Sequence, residues 1–156
     1  MNPAKTGHDF EGRVKNALLR NNYMLIKKNK WVKNYALEKD YANKREYDLV
    51  MFNTKEKEFY VIECKAHLSK NRLVPLKQVM KFNYVANAYT ARRAKKMIAT
   101  DTDLTFSARQ YADRYNINVL DGRRLRSMEQ NPETPHLQFV TNLAKMLLSQ
   151  YLSLLK

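Results

Sequence analysis

Two runs of β-branched and aromatic residues, Tyr47-Asp48-Leu49-Val50-Met51-Phe52 and Phe59-Tyr60-Val61-Ile62-Glu63-Cys64-Lys65, are joined by the short polar stretch Asn53-Thr54-Lys55-Glu56-Lys57-Glu58. That pattern predicts an antiparallel hairpin. With the turn centred between Lys55 and Glu56, Phe52 faces Phe59, Val50 faces Val61 and Asp48 faces Glu63. Alternation then puts Lys65 on the face of Glu63 and turns Ile62 and Cys64 the other way. Residues directly opposed across a sheet lie roughly 4.5–5.5 Å apart at Cβ, so two carboxylates are forced together. Like charges so placed are destabilising unless a cation lies between them. A hard ion such as Mg²⁺ takes one or two carboxylates and leaves positions for water and a phosphate oxygen. Lys65, one pleat along, is then placed to orient or deprotonate a water, or to stabilise charge on the phosphate. The set suits metal-assisted phosphodiester hydrolysis. The bland alternative is a Glu-x-Lys on a solvated strand face. Against it, Val61, Ile62 and Ala66 surround Glu63 and mark a central strand, where unpaired charge is costly.

Composition narrows the partner. The chain has 156 residues, enough for one domain, and 29 Lys+Arg against 15 Asp+Glu leave a net charge of +14. Hydrophobic residues at 44% argue for a packed core rather than a disordered basic tail. An excess of that size points to a polyanion, foremost nucleic acid. The three glycines, Gly7, Gly12 and Gly122, have no phosphate-cradling spacing, which excludes a Walker loop and a dinucleotide fingerprint. The single cysteine, Cys64, excludes an internal disulfide and a Cys-based zinc finger, and His8, His67 and His136 are scattered. With no signal segment or membrane-spanning apolar run, the chain reads as a soluble, cytoplasmic protein with no membrane partner.

Around the hairpin, a first helix is expected to start near Thr6, with Phe10, Val14 and Leu18 as its buried stripe. A short strand is expected at Tyr23–Ile26, followed by a basic stretch from Lys27 to Arg45. That stretch holds Lys27, Lys28, Lys30, Lys33 and Arg45 with Trp31, Tyr35 and Tyr41 between them, a mixture suited to phosphate contacts and base stacking. Two further basic clusters are Arg92, Arg93, Lys95 and Lys96, and Arg123, Arg124 and Arg126. After the hairpin a helix from Pro75 to Arg93, a strand at Lys96–Thr100, a helix capped by Ser107 and a strand at Ile117–Leu120 follow. The fold class is α/β: a mixed central sheet flanked by helices. Beyond Pro132 and Pro135, residues 140–155 read as an amphipathic helix that packs on its own sheet or on a second subunit.

The motif Asp48 followed by Glu63-Cys64-Lys65 resembles the PD-(D/E)XK nuclease superfamily. Gly7-His8-Asp9-Phe10-Glu11 at the start resembles the Mrr-type restriction endonucleases, as does the closing run from Phe106 through Ala112 to Ile117-Asn118-Val119-Leu120-Asp121-Gly122. The resemblance spans about residues 5 to 126, implying a nuclease domain over 1–126 and a linker with a C-terminal helix over 127–156. It implies a restriction-endonuclease-like core and a metal, Mg²⁺ or Mn²⁺, on Asp48, Glu63 and the backbone carbonyl of Cys64. It also implies Lys65 as catalytic lysine, with Glu11 as an accessory catalytic carboxylate and metal ligand. Glu11 otherwise reads as a first-turn carboxylate facing the helix dipole.

Tyr47 stands where such nucleases often carry proline, and Gln78 is followed by Phe82 where exonuclease relatives carry tyrosine. Gln78 faces the site and contacts DNA, or is an ordinary exposed helical glutamine. The expected activity is DNA endonucleolysis, of the Mrr type or on branched DNA in the manner of archaeal Holliday junction resolvases, by a homodimer. The competing expectations are a catalytically silent DNA-binding protein that keeps the fold, and an RNA nuclease.

Overall fold

The computed structural model describes residues 3–33, 44–67, 72–89 and 94–131. In chain order the elements are α1 (Pro3–Leu19), β1 (Tyr23–Lys33), β2 (Lys44–Asn53), β3 (Glu58–Lys65), α2 (Leu76–Tyr89), β4 (Ala94–Thr100), α3 (Phe106–Arg114), β5 (Ile117–Leu120) and α4 (Gly122–Gln130). The five strands form one sheet in the order β1-β2-β3-β4-β5. β1, β2 and β3 run antiparallel, whereas β3, β4 and β5 are parallel. The parallel half follows from the two helical crossovers, because a helix between strands returns the chain to the same end of the sheet.

The strand pattern explains the core. On one face Leu49, Met51, Tyr60, Ile62 and Met97 pack with Phe10, Val14 and Leu18 of α1 and Leu125 of α4. On the other face Val61, Ile98, Ile117 and Val119 pack with Val79, Phe82 and Ala86 of α2 and Ala108 and Ala112 of α3. The hairpin register is the expected one, with Phe52 opposite Phe59 and Val50 opposite Val61. Parallel pairing brings Lys65 level with Thr100, and Ala99 level with Leu120.

Several expectations are corrected. α1 starts at Pro3, a turn before Thr6, and proline is at home in a first helical turn. β1 does not stop at Ile26. It shifts register between Leu25 and Lys27 and runs on through the basic stretch, pairing Lys28 with Leu49 and Lys33 with Lys44. β1 is an edge strand, where lysines discourage pairing with further strands, so the apolar alternation that signals a strand is missing. The N-cap of α3 is Thr105, whose hydroxyl accepts from the Ala108 N–H, rather than Ser107. α4 was not expected as a helix. It is capped by Asp121, which accepts from the backbone N–H groups of Arg123 and Arg124, and it continues past residue 126. Residues 34–43, the second half of the basic stretch, and the C-terminal helix expected over 140–155 lie outside the described residues.

Candidate active site

The site forms where β2 and β3 part. The ladder between them ends at Leu49 opposite Ile62, one residue short of the expected pairing of Asp48 with Glu63. Past this point Tyr47 joins the α2/α3 face, and its hydroxyl donates to the Val85 carbonyl of α2. Leu49 and Met51 pack on the α1/α4 face, so β2 breaks strict alternation at Asp48. The Asp48 carboxylate then takes over a backbone role: its Oδ2 accepts the Cys64 N–H at 2.6 Å. A carboxylate so held is charge-assisted and fixed in direction.

Glu63 and Lys65, one pleat apart on β3, form an ion pair. Burial, and then the charge of Glu63, push the Asp48 carboxyl up to about 7, against the pull of the Cys64 N–H and Lys65. Burial works against the Lys65 charge, but Glu63 and then Asp48 outweigh it and hold the ammonium above its ordinary range. Its surroundings thus favour the charged form of Lys65, which suits orienting groups and stabilising negative charge. Cys64 turns its side chain into the α1/α4 core, and burial drives its thiol well up. It is an inert packing residue whose contribution here is main-chain.

Glu11 approaches from α1. Its Oε2 lies 3.2 Å from Lys28 Nζ on β1 and 3.4 Å from His8 Nδ1. Its charge reaches Asp48 and Cys64. Among the described residues, however, no three His, Cys, Asp or Glu side chains gather closely enough to hold a metal ion. The nearest described partner of Glu11 is Lys28. Two carboxylates with a main-chain carbonyl and water remain a donor set that suits a hard cation such as Mg²⁺. The raised Asp48 carboxyl reflects burial first and the neighbouring Glu63 charge second, only partly offset by Lys65.

The other expected residues fall into separate places. Lys27 is exposed on β1, and Lys28 is half-buried against Glu11. Lys30 and Trp31 lie level with Tyr47 and Glu46 on the β1–β2 ladder, and Arg45 pairs with Val32. The side chains of Lys30, Trp31, Lys33 and Arg45 lie outside the described residues. Gln78 sits in the first turn of α2 with Oε1 buried and accepting no hydrogen bond, which is not the exposed helical glutamine of the alternative expectation. Sequence reasoning missed His67, whose N–H donates to Asp101 Oδ1 at 3.1 Å and whose Nε2 is buried without a partner. Its place two residues after Lys65 is the only sequence signal that marks it.

A five-stranded mixed sheet with two helices on each face is a restriction-endonuclease-like fold. No family profile and no curated protein matches the sequence. Solved structures do share the fold. A protein of unknown function, AF1548, superposes with a TM-score of 0.64 at 21% identity over 78% of this chain and 66% of its own. Can2 from Sulfobacillus thermosulfidooxidans, solved with cyclic tetra-adenylate, gives 0.59 at 23% identity over 80% of this chain and 34% of its own. A repair endonuclease from Pyrococcus abyssi gives 0.53 at 10% identity over 78% and 47%. The chain thus spans less than two thirds of each of these proteins.

Proposed function

We propose that this protein is a metal-dependent DNA endonuclease of the PD-(D/E)XK type, acting on branched DNA or in the Mrr manner. One observation carries the reading: Asp48, Glu63 and Lys65 converge at the point where β2 leaves β3, with Asp48 held by the Cys64 N–H. Asp48, Glu63 and the Cys64 carbonyl would hold Mg²⁺ or Mn²⁺. When bound, such an ion supplies polarisation of a phosphoryl oxygen and activation of water.

The chain's own groups do the remainder. The Cys64 N–H fixes the direction of the Asp48 carboxylate. Glu63 holds the Lys65 ammonium, which faces negative charge developing on the phosphate. Glu11 holds Lys28 beside the site, so that a second cation borders the path of the substrate. The surplus charge of +14 supplies attraction to the phosphate backbone, and a homodimer would present two sites to two strands.

A cleavage panel with Mg²⁺ or Mn²⁺ on single-stranded, duplex, flapped and four-way-junction DNA, with RNA alongside, tests the reading. Asp48→Asn, Glu63→Gln and Lys65→Ala should each lower cleavage by at least about 10²–10³-fold. DNA binding should survive, because affinity resides in phosphate contacts elsewhere. Near wild-type cutting by any of the three would remove the assignment. Wild-type binding without cutting would leave a fold kept for binding alone.

A further inference from the structure

Of the two basic clusters that follow the hairpin, the described residues leave exposed cations in the later one, near the active site. Lys95 lies at the hairpin end of the sheet, 3.0 Å from Glu56 and 3.2 Å from Glu58. Lys96 turns into the α2 side, where its Nζ donates to Asn83 Oδ1 at 2.7 Å and Asn87 Oδ1 at 3.1 Å. Both are occupied, and both sit at the N-terminal end of β4, away from Lys65. Arg92 and Arg93 lie outside the described residues. In the later cluster Arg124 donates to the Val119 carbonyl at 2.8 Å and so braces β5 against α4.

Arg123 and Arg126 are different. They are exposed, lie one turn apart on α4, and pair with no carboxylate among the described residues. Both line a cleft of about 570 Å³ at the C-terminal ends of β4 and β5. The acids in this cleft are largely engaged. Asp103 and Asp121 share the Arg109 guanidinium, Asp121 also caps α4, and Asp101 takes the His67 N–H. Arg13, on the cleft wall, is forked onto Glu129 at 2.6 and 2.8 Å. Arg123 and Arg126 therefore line the opening, with Arg126 also within reach of the Glu129 charge.

The cleft also has a defined place relative to the chemistry. Lys65 is level with Thr100, the last residue of β4, and β5 is one strand further. Two strand spacings make about 10 Å. Each nucleotide rises about 3.4 Å along the axis while its phosphate also winds around it, so successive phosphates lie roughly 6–7 Å apart and the cleft stands about one to two nucleotides from a phosphate held at Lys65. Among the described lining residues Leu73 is the only wholly apolar side chain, which favours a charged backbone over an apolar ligand.

We propose that this cleft seats the phosphate backbone of the substrate strand about one to two nucleotides from the bond that is cut, with Arg123 and Arg126 as its phosphate contacts. The inference rests on the nuclease reading above and adds the path of the strand to it. Guanidinium groups take phosphate oxygens in two-pronged contacts, and side chains one helical turn apart can serve two oxygens at once.

The test is a titration of labelled duplex DNA in EDTA between 50 and 300 mM KCl, so that binding is read without cleavage. The double substitution Arg123→Ala with Arg126→Ala should weaken binding at least about tenfold at low salt. It should also flatten the slope of log affinity against log salt by about 1.8, two contacts at about 0.9 each. Arg123→Lys with Arg126→Lys should keep the slope, and Lys95→Ala at the other end of the sheet should leave it unchanged. With metal present, the double alanine variant should raise KM and hold kcat within about twofold. A folded double alanine variant with the wild-type slope would overturn the proposal while leaving wild-type cleavage, and hence the nuclease reading, intact. Loss of slope in the double alanine variant, with a wild-type protein that cuts nothing, would support the cleft and overturn the nuclease reading. If the alanine variant does not fold, phosphate ethylation of the DNA decides. Blocked binding about one to two nucleotides from the cut supports the cleft, and free binding there overturns it.

Discussion

Asp48 shows how the titration of a single side chain is set by its surroundings. It is half-buried, accepts the Cys64 N–H, and is pushed up to about 7 by burial and by Glu63. Its folded pKa lies above its unfolded one, so the stabilisation from its protonated form is complete below about pH 4. It is lost as pH rises through 7. Asp48→Asn keeps the acceptor for the Cys64 N–H and removes the charge. In metal-free buffer the stability of wild type relative to this variant should therefore fall by roughly 2–3 kcal/mol between pH 5 and pH 8. Urea denaturation with EDTA at the two pH values measures it. A gap that does not change with pH would show that Asp48 is not held in a crowded, buried carboxyl pair. Added Mg²⁺ should narrow the gap at pH 8 only in wild type.

At the scale of elements, α4 depends on one close backbone approach. Gly122, the first residue of the helix, donates its N–H to the Thr102 carbonyl at 2.8 Å. A Cβ placed there would stand 2.1 Å from the Asp101 carbonyl oxygen and 2.6 Å from its carbon. Backbone cannot yield as a flexible side chain would, so either α4 or the Asp101 turn must shift. Gly122→Ala should therefore cost roughly 1–3 kcal/mol, the usual penalty for overpacking. Thermal melting checks this, and an unchanged melting temperature would mean that the approach is looser than described. Because Asp101 also holds the His67 N–H, the same variant should disturb the cleft between α4 and β4 more than the hairpin.

For the whole molecule the open matter is assembly. The sheet core is closed on both faces by its own helices, α1 and α4 on one side and α2 and α3 on the other. The apolar stripe of residues 140–155 lies outside the described residues, and its sequence calls for a cover. Dimerisation through that stripe would relate two active sites by a two-fold axis. A chain ending at Pro135 should then remain folded by circular dichroism but scatter light as a monomer, with paired incisions lost. Unfolding on truncation would place the stripe on its own core. An unchanged dimer would assign the interface to the nuclease core.

The hairpin, its register and the alternation of helix and strand after it were legible in the sequence, because each depends on residues close together in the chain. Linker length set Phe52 against Phe59 and Val50 against Val61, and the pleat then put Glu63 and Lys65 on one side. The carboxylates and the lysine could be named for the same reason. What the sequence could not decide depends on partners far away. β1 runs through a lysine-rich stretch because β2 supplies its ladder, and alternation cannot report a strand whose outer edge is solvated. Asp48 leaves its expected place opposite Glu63 because Tyr47 turns towards α2, and its carboxylate replaces a main-chain partner there. The difference between the two later basic clusters was likewise tertiary. Glu56, Glu58 and Asn83 occupy Lys95 and Lys96, whereas the turn of α4 against Asp101 leaves Arg123 and Arg126 facing the cleft. Charge can be counted along a chain, but whether it is already neutralised depends on which residues the fold brings to it.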